Sequence, residues 1–269
     1  MLYIIDKYSA ICYNLLAEKF MKVTTIRTNW ADSELKQNTH IITKGDKCII
    51  VDAGASLEDV MNVVGDKSVE AILITHAHFD HVSNMDAYEI AFGCPIYMNE
   101  HSKKFLHDPV LNVSKFFVHE IIFDAENIHY IKGKETLHLA GIDVKAIYTP
   151  GHSEDSMCFL CIDNSVENNG EQILEMIANK QDISEVEQHN VLFTGDTCFA
   201  KAVGRTDLST GNPKRLIVSL NHLLKLDFTT AYTGHMRHTT KQEQEQNIPT
   251  WIKYIKTQLL SNKENKQSF

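Results

Sequence analysis

The stretch Thr75-His76-Ala77-His78-Phe79-Asp80-His81 constrains this chain more than any other. Three histidines and an aspartate fall within six consecutive residues, directly after the apolar run Ala71-Ile72-Leu73-Ile74. The run is short and branched, the pattern of a buried strand. The cluster therefore sits where a strand leaves the core and becomes a loop. Burying imidazoles and carboxylates costs desolvation energy, and packing gives no reason to concentrate four of them. Binding a divalent cation does: zinc, iron and manganese all accept this donor set.

The surrounding sequence alternates strands and helices. Thr39 to Thr43 and Cys48 to Asp52 read as strands joined by a Gly45-Asp46 turn. Ser56 caps a helix over 57–64 that stops at Gly65. After His81, Ser83 or Asn84 caps a helix over 85–91, ended by Gly93, and Pro95 to Met98 is a strand. Glu100 to Phe105 reads as a short helix, and Ser114 to Ile122 as strand or helix. Thr136 to Thr149 gives two strands around Gly141, with His138 facing solvent, and Met157 to Ile162 gives another. A polar insertion at about 163–190 holds a possible amphipathic helix, Gln172 to Lys180; it either covers the site or lies on the surface. Val191 to Thr194 resumes the strands. Pro213 to Leu226 is a helix with Leu216, Ile217, Leu220, Leu223 and Leu224 on one face. Thr229 to Thr233 is a last strand, and a helix from Lys241 buries Ile248, Trp251, Ile252, Ile255 and Leu259. This order argues for an α/β architecture. It divides into an N-terminal extension (1–22), one domain (23–260) and a frayed tail (261–269).

One pattern recurs along the chain. An apolar strand ends, a small residue follows, and a metal-competent side chain appears. It happens at Thr75-His76, Thr149-Pro150-Gly151-His152, Thr194-Gly195-Asp196 and Thr233-Gly234-His235. If these strand ends share one edge of a layered core, His76, His78, Asp80, His81, His152, Asp196 and His235 converge. One metal takes three or four protein ligands. Seven, with one carboxylate able to bridge, suit two metals about 3.5–4 Å apart.

With these elements the chain resembles the metallo-β-lactamase fold superfamily, over roughly 38–251. The resemblance implies an α/β (α+β) fold, a four-layer αββα sandwich with the metal site at one edge. Phe193-Thr194-Gly195-Asp196-Thr197-Cys198-Phe199 followed by Gly204-Arg205-Thr206-Asp207 is similar to the glyoxalase II-like hydrolases and to the persulfide dioxygenases. It is unlike the β-lactamases proper, where a cysteine commonly replaces the second-site aspartate. Position by position, the resemblance places His76, His78 and His152 on a first metal, Asp80, His81 and His235 on a second, and Asp196 between them. Asp52 resembles an acid that supports the ligands from behind. Arg205 and Asp207 match the family's Gly-Arg-x-Asp element, as a structural salt bridge in preference to a substrate contact.

The expected chemistry follows. Two divalent cations, zinc foremost with iron or manganese as alternatives, lower the pKa of a shared water, and hydroxide attacks an ester or thioester carbonyl. Asp80 both ligates and orients the nucleophile. The expected substrate is a small (thio)ester. Hydroxyacylglutathione itself fits less well, because only about thirty residues follow His235, too few for the C-terminal helical region of that enzyme. The alternative is a persulfide dioxygenase with one iron on His76, His152 and Asp196; a nuclease of the same superfamily ranks lower. The formal net charge of −9 speaks against a uniformly basic nucleic-acid surface. No apolar run approaches a bilayer span, and the N-terminus lacks the features of a signal peptide. The six cysteines are scattered through a chain large enough to need no disulfide framework. Cys158 and Cys161 lie three apart on a strand and so face opposite ways, as core thiols rather than a redox pair. A cytoplasmic setting is expected. Oligomeric state is left open.

Overall fold

Residues 20–29, 36–165 and 190–267, without the side chains of 262–267, are described by the structure, a computed structural model. Their strands form two six-stranded sheets. The first has the spatial order β1 (Lys22–Asn29), β2 (Lys36–Lys44), β3 (Lys47–Val51), β4 (Ser68–Leu73), β5 (Ile96–Asn99) and β6 (Ile128–Ile131). β1 to β3 pair antiparallel, with Ile41 opposite Ile50, and β3 to β6 pair parallel. The second sheet contains β7 (Thr136–Leu139), β8 (Ile142–Tyr148), β9 (Met157–Ile162), β10 (Asn190–Gly195), β11 (Thr230–Thr233) and β12 (Thr239–Thr240) in spatial sequence. Only β10 and β11 pair parallel there.

The period of two along each strand sends successive side chains into different layers. Ile41, Ile50 and Ile72 face outward. There they meet Val60 and Val64 of α1 (Leu57–Val64) and cluster with Phe79 and Val82 of α2 (Phe79–Val82). Met85 and Tyr88 of α3 (Met85–Phe92) and Phe105 of α4 (Ser102–Leu106) complete that cluster. Their neighbours Ile42, Ile49, Val51, Ala71 and Leu73 face inward, onto Val144, Phe159, Cys161, Val191 and Phe193 of the second sheet. The far side of that sheet presents Cys158, Leu160 and Leu192 to Leu216, Leu220 and Leu223 of α6 (Pro213–Leu223) and to Ile248 and Ile252 of α7 (Lys241–Gln267). Three apolar clusters between four layers are the expected αββα sandwich. Each fully buried Ile, Leu or Phe contributes about 1.5–3 kcal/mol to it. Cys158 and Cys161 do lie in different clusters, on opposite faces of β9.

Local signals set several boundaries. Ser56 Oγ accepts from the Asp59 N–H at the start of α1, Gly65 ends that helix, and Gly93 ends α3 in the left-handed conformation. Elsewhere the structure differs from the sequence reading. Strands β1 and β6 were not expected: β1 is a polar edge strand with little buried surface, and only Ile131 of β6 is buried. The stretch 114–122 is one helical turn, α5 (Ser114–Phe117), followed by loop. Its backbone is held by side chains: Asn112 Oδ1 accepts from Ser114 N (3.0 Å), and Ser114 Oγ accepts from Ile121 N (3.0 Å). Phe20 and Met21, assigned to the extension, are buried, and Met21 N donates to Asp163 Oδ2 (2.8 Å). Asp163 is itself buried and also accepts from Lys44 Nζ (2.7 Å), so the polar insertion starts inside the core. Helix α7 runs through Pro249 to Gln267, past the residue where fraying was expected. The rest of the extension and the segment Gln172 to Lys180 lie outside the described residues. Among the described residues, no helix is long and apolar enough to cross a membrane.

Candidate metal centre

The C-terminal ends of β3, β4, β8, β10 and β11 meet along one edge of the sandwich. Backbone bonds tie them together: Met157 N donates to Thr75 O (2.8 Å) and Asn38 N to Gly234 O (2.8 Å) across the two sheets, and Gly234 N to Gly195 O (2.9 Å) within the second. Gly195 adopts φ 46°, a region that favours glycine, and so turns β10 sharply before Asp196. A Cβ on Gly234 would lie 2.3 Å from Asp196 Oδ1 and 2.7 Å from His81 Cε1, so only glycine admits this approach.

All seven side chains anticipated from the sequence come together here. His76 Nε2 lies 3.1 Å from His78 Nδ1, and His152 Nε2 lies 3.0 Å from the same atom. A second group contains Asp80, His81 and His235, with His235 Nε2 3.3 Å from Asp80 Oδ2. Asp196 stands between the groups. Its Oδ1 is 3.4 Å from His81 Nε2, and its Oδ2 is 3.3 Å from His235 Nε2 and 3.6 Å from His152 Nε2. Six of the seven are buried, and the His235 side chain is 13% exposed, which places the opening on its side.

The outward nitrogens are already engaged. His152 Nδ1 donates to Arg205 O (2.9 Å) and His235 Nδ1 to Lys36 O (2.7 Å). Carbonyls only accept, so both Nδ1 atoms carry protons. His76 Nδ1 lies 3.2 Å from Thr75 Oγ1, and His81 Nδ1 lies 2.8 Å from Asp52 Oδ2. Four Nε2 atoms are thereby turned toward one another, the arrangement that orients imidazoles for a metal.

Electrostatics separates the two groups. Burial holds His76 and His78 well below the ordinary histidine pKa and lowers His152, keeping the first group neutral. Burial also opposes charge on His81 and His235, but the surrounding carboxylates win. Asp52, Asp80 and Asp196 hold His81 well above its usual value, and Asp196 and Asp80 push His235 up to about 10. Conversely, burial resists ionisation of Asp196 and Asp80, and His81 and His235 overcome it. Two protonated imidazoles thus balance buried carboxylates, a charge that a divalent cation supplies in their place. Within the site, His81 Nε2 and Asp196 Oδ1 are buried without a hydrogen-bond partner. These orphaned donor atoms, and a set of His nitrogens and carboxylate oxygens, fit divalent metal ions.

Known proteins share this arrangement of chain. A family profile described as Metallo-beta-lactamase superfamily matches residues 33–166. An uncharacterized protein of Mycobacterium bovis is 30% identical over 207 residues, 73% of this chain and 83% of its own. The chain belongs to the metallo-β-lactamase superfamily. A probable metallo-hydrolase of Bacillus subtilis, YqgX, is 28% identical over 218 residues, covering 79% of this chain and 92% of that one. The crystal structure of BLEG-1 B3 metallo-beta-lactamase superposes with a TM-score of 0.68 at 25% identity, over 85% of this chain and 99% of the other.

Three further expected residues take different places in this superfamily member. Asp52, at φ 63°, accepts from Thr75 N (2.8 Å), from Thr75 Oγ1 and from His81, directly behind the seven. Arg205 and Asp207 form a two-pronged ion pair whose side chains are 54% and 67% exposed. Arg205 reaches the site through its backbone carbonyl, not its guanidinium. Asp155, Thr75 and the carbonyl of Lys36 were not anticipated. Asp155 was within reach of the sequence. It lies three residues after His152 in a short polar run between two strands, where a buried acid collects donors. The role of a backbone carbonyl leaves no trace in residue identity.

Proposed function

We propose that the chain is a metal-dependent hydrolase that cleaves a small ester or thioester. One observation carries this reading: two histidine-containing groups share the Asp196 carboxylate, whose Oδ2 lies 3.6 Å from His152 of one group and 3.3 Å from His235 of the other. His76, His78 and His152 would hold one divalent cation, and Asp80, His81 and His235 a second, with Asp196 reaching both. The names of relatives in Bacillus subtilis and Methanocaldococcus jannaschii, each a probable metallo-hydrolase, support hydrolysis.

Bound divalent cations supply a water that ionises near neutral pH and a Lewis acid for the acyl oxygen. The chain's residues do the rest. Asp80, at the mouth beside His235, orients the attacking water and takes its proton at a carboxylate oxygen. The outward bonds to Arg205 O, Lys36 O and Asp52 keep three imidazoles from rotating during turnover. The apolar layers behind the loops exclude bulk water and strengthen the local field.

Metal quantification of the purified protein, together with turnover of a thioester and ester panel, tests the reading. Two equivalents of divalent metal with hydrolysis are expected. One iron per chain with sulfite formed from a persulfide would overturn it in favour of a dioxygenase. Full esterase turnover in Asp80→Ala or His81→Ala would remove the two-metal mechanism.

A further inference from the structure

Two separate segments deliver the first imidazole group. The loop after β4 carries His76 and His78; the turn after β8 carries His152. One buried carboxylate lies between these segments. Asp155 Oδ2 accepts from the backbone N–H of Ala77 (2.8 Å) and from Ser102 Oγ of α4 (2.8 Å), and Oδ1 accepts from Ser153 Oγ (2.7 Å). Ala77 separates His76 from His78, and Ser153 directly follows His152. Asp155 has no exposed surface, and none of these three donors belongs to the seven site residues.

The placement mirrors that of Asp52. Asp52 takes the Thr75 N–H and backs His81, a member of the second group; Asp155 takes the Ala77 N–H two residues on and ties it to the His152 turn. A carboxylate accepting three short hydrogen bonds is a stiff joint. Misplacement of a reacting or ligating group by about 1 Å costs on the order of 10²-fold.

We propose that Asp155 is a positioning residue: by holding Ala77 and Ser153 in one hydrogen-bonded unit it fixes His78 against His152 and sets the cation affinity of the first group. The inference rests on reading His76, His78 and His152 as a metal site.

Cobalt(II) titration of the full chain tests it, read by visible absorption and by chelator competition. His78→Ala identifies the binding event of the first group and His235→Ala that of the second. Asp155→Ala is expected to weaken the first event by about 10–100-fold and to change its visible bands. The second event stays within about threefold. Asp155→Asn restores most of the affinity, because its amide oxygen accepts from Ala77 and Ser102. Its NH2 then donates to Ser153 Oγ, which turns to Ser156 Oγ, 2.7 Å away. Should Asp155→Ala not fold, Ser153→Ala removes one of the three ties and is expected to weaken the first event by about threefold to tenfold, less than loss of the whole carboxylate. Wild-type affinities and bands in Asp155→Ala, or in Ser153→Ala where the former does not fold, overturn the proposal. Equal weakening of both events does the same. Unchanged cobalt binding in His78→Ala is a distinct result: it overturns the metal-site reading itself and the inference with it.

Discussion

His81 Nδ1 lies 2.8 Å from Asp52 Oδ2, and across the same ring Nε2 stands 3.4 Å from Asp196 Oδ1. One imidazole therefore links a supporting carboxylate to a site carboxylate. Asp52 also takes both donors of Thr75, so it sets the ring and the start of the loop at once. Its replacement by alanine leaves the Thr75 N–H and the His81 Nδ1 without their partner in a buried setting. Asp52→Ala is expected to lower affinity for the second cation by about 10–100-fold. Zinc titration against a chromogenic chelator checks this; two unchanged binding steps would show that Asp52 is dispensable.

Gly234 passes so close to Asp196 that any side chain must displace the carboxylate. Gly234→Ala is expected to cut hydrolytic turnover by about 10²-fold or more. Gly65→Ala provides the contrast. Gly65 has φ 57° and open space around its missing Cβ. That substitution strains the backbone, loses roughly 1 kcal/mol or more of stability and leaves turnover unchanged. Paired kcat measurements and urea unfolding separate the two. Equal turnover losses would mean that backbone strain, not the Asp196 contact, is responsible.

The layers and the site edge were legible because both are written in short-range pattern. Strands alternate or run apolar, and each metal-competent residue follows a strand end with a small residue beside it. Ser56 and Gly65 marked α1 to the residue through cap chemistry. What escaped the sequence depends on distant partners. β1 is polar and, among the described residues, pairs with β2 alone, so no hydrophobic run announces it. Met21 joins the apolar cluster between the sheets, and Asp163, far along the chain, accepts its N–H. The carbonyls of Lys36 and Arg205 orient His235 and His152 whatever side chains those positions carry. Asp155 carries only a local signal, its place three residues after His152; two of its three donors, Ala77 N–H and Ser102 Oγ, come from distant segments.

Cation binding to the folded chain alone stabilises it by mass action. At a free zinc concentration a hundred times Kd the gain is about 2.7 kcal/mol per site. Thermal unfolding with zinc, and again after exhaustive chelation, is expected to show a raised midpoint with the metal and a cooperative transition without it. The three apolar clusters do not depend on the site, so the chelated protein keeps its fold. An identical midpoint in both conditions would mean that the native edge does not bind zinc under those conditions.

His40, outside the seven site residues, gives a pH signature of its own. It is buried between the sheets beside Phe193 and Tyr232, with Nδ1 2.9 Å from Thr25 Oγ1 and Nε2 3.1 Å from Thr233 O. The Nε2–H donates to that carbonyl, so Nδ1 is the acceptor in the neutral ring. Burial, against the favourable bond to Thr233, pushes its pKa down to about 3. Between about pH 3 and 6.5 the unfolded chain therefore binds one more proton at this position than the folded chain. Stability from His40 is fully present above pH 6.5, falls as pH drops, and is spent near pH 3, a total of roughly 5 kcal/mol at about 1.4 kcal/mol per pH unit. Replacing His40 by glutamine removes the titrating group. Urea unfolding from pH 4 to 6 is expected to show a shallower loss of stability in His40→Gln than in wild type, by about one proton's slope. Parallel pH profiles would mean that His40 titrates alike in both states and that its burial carries no such penalty.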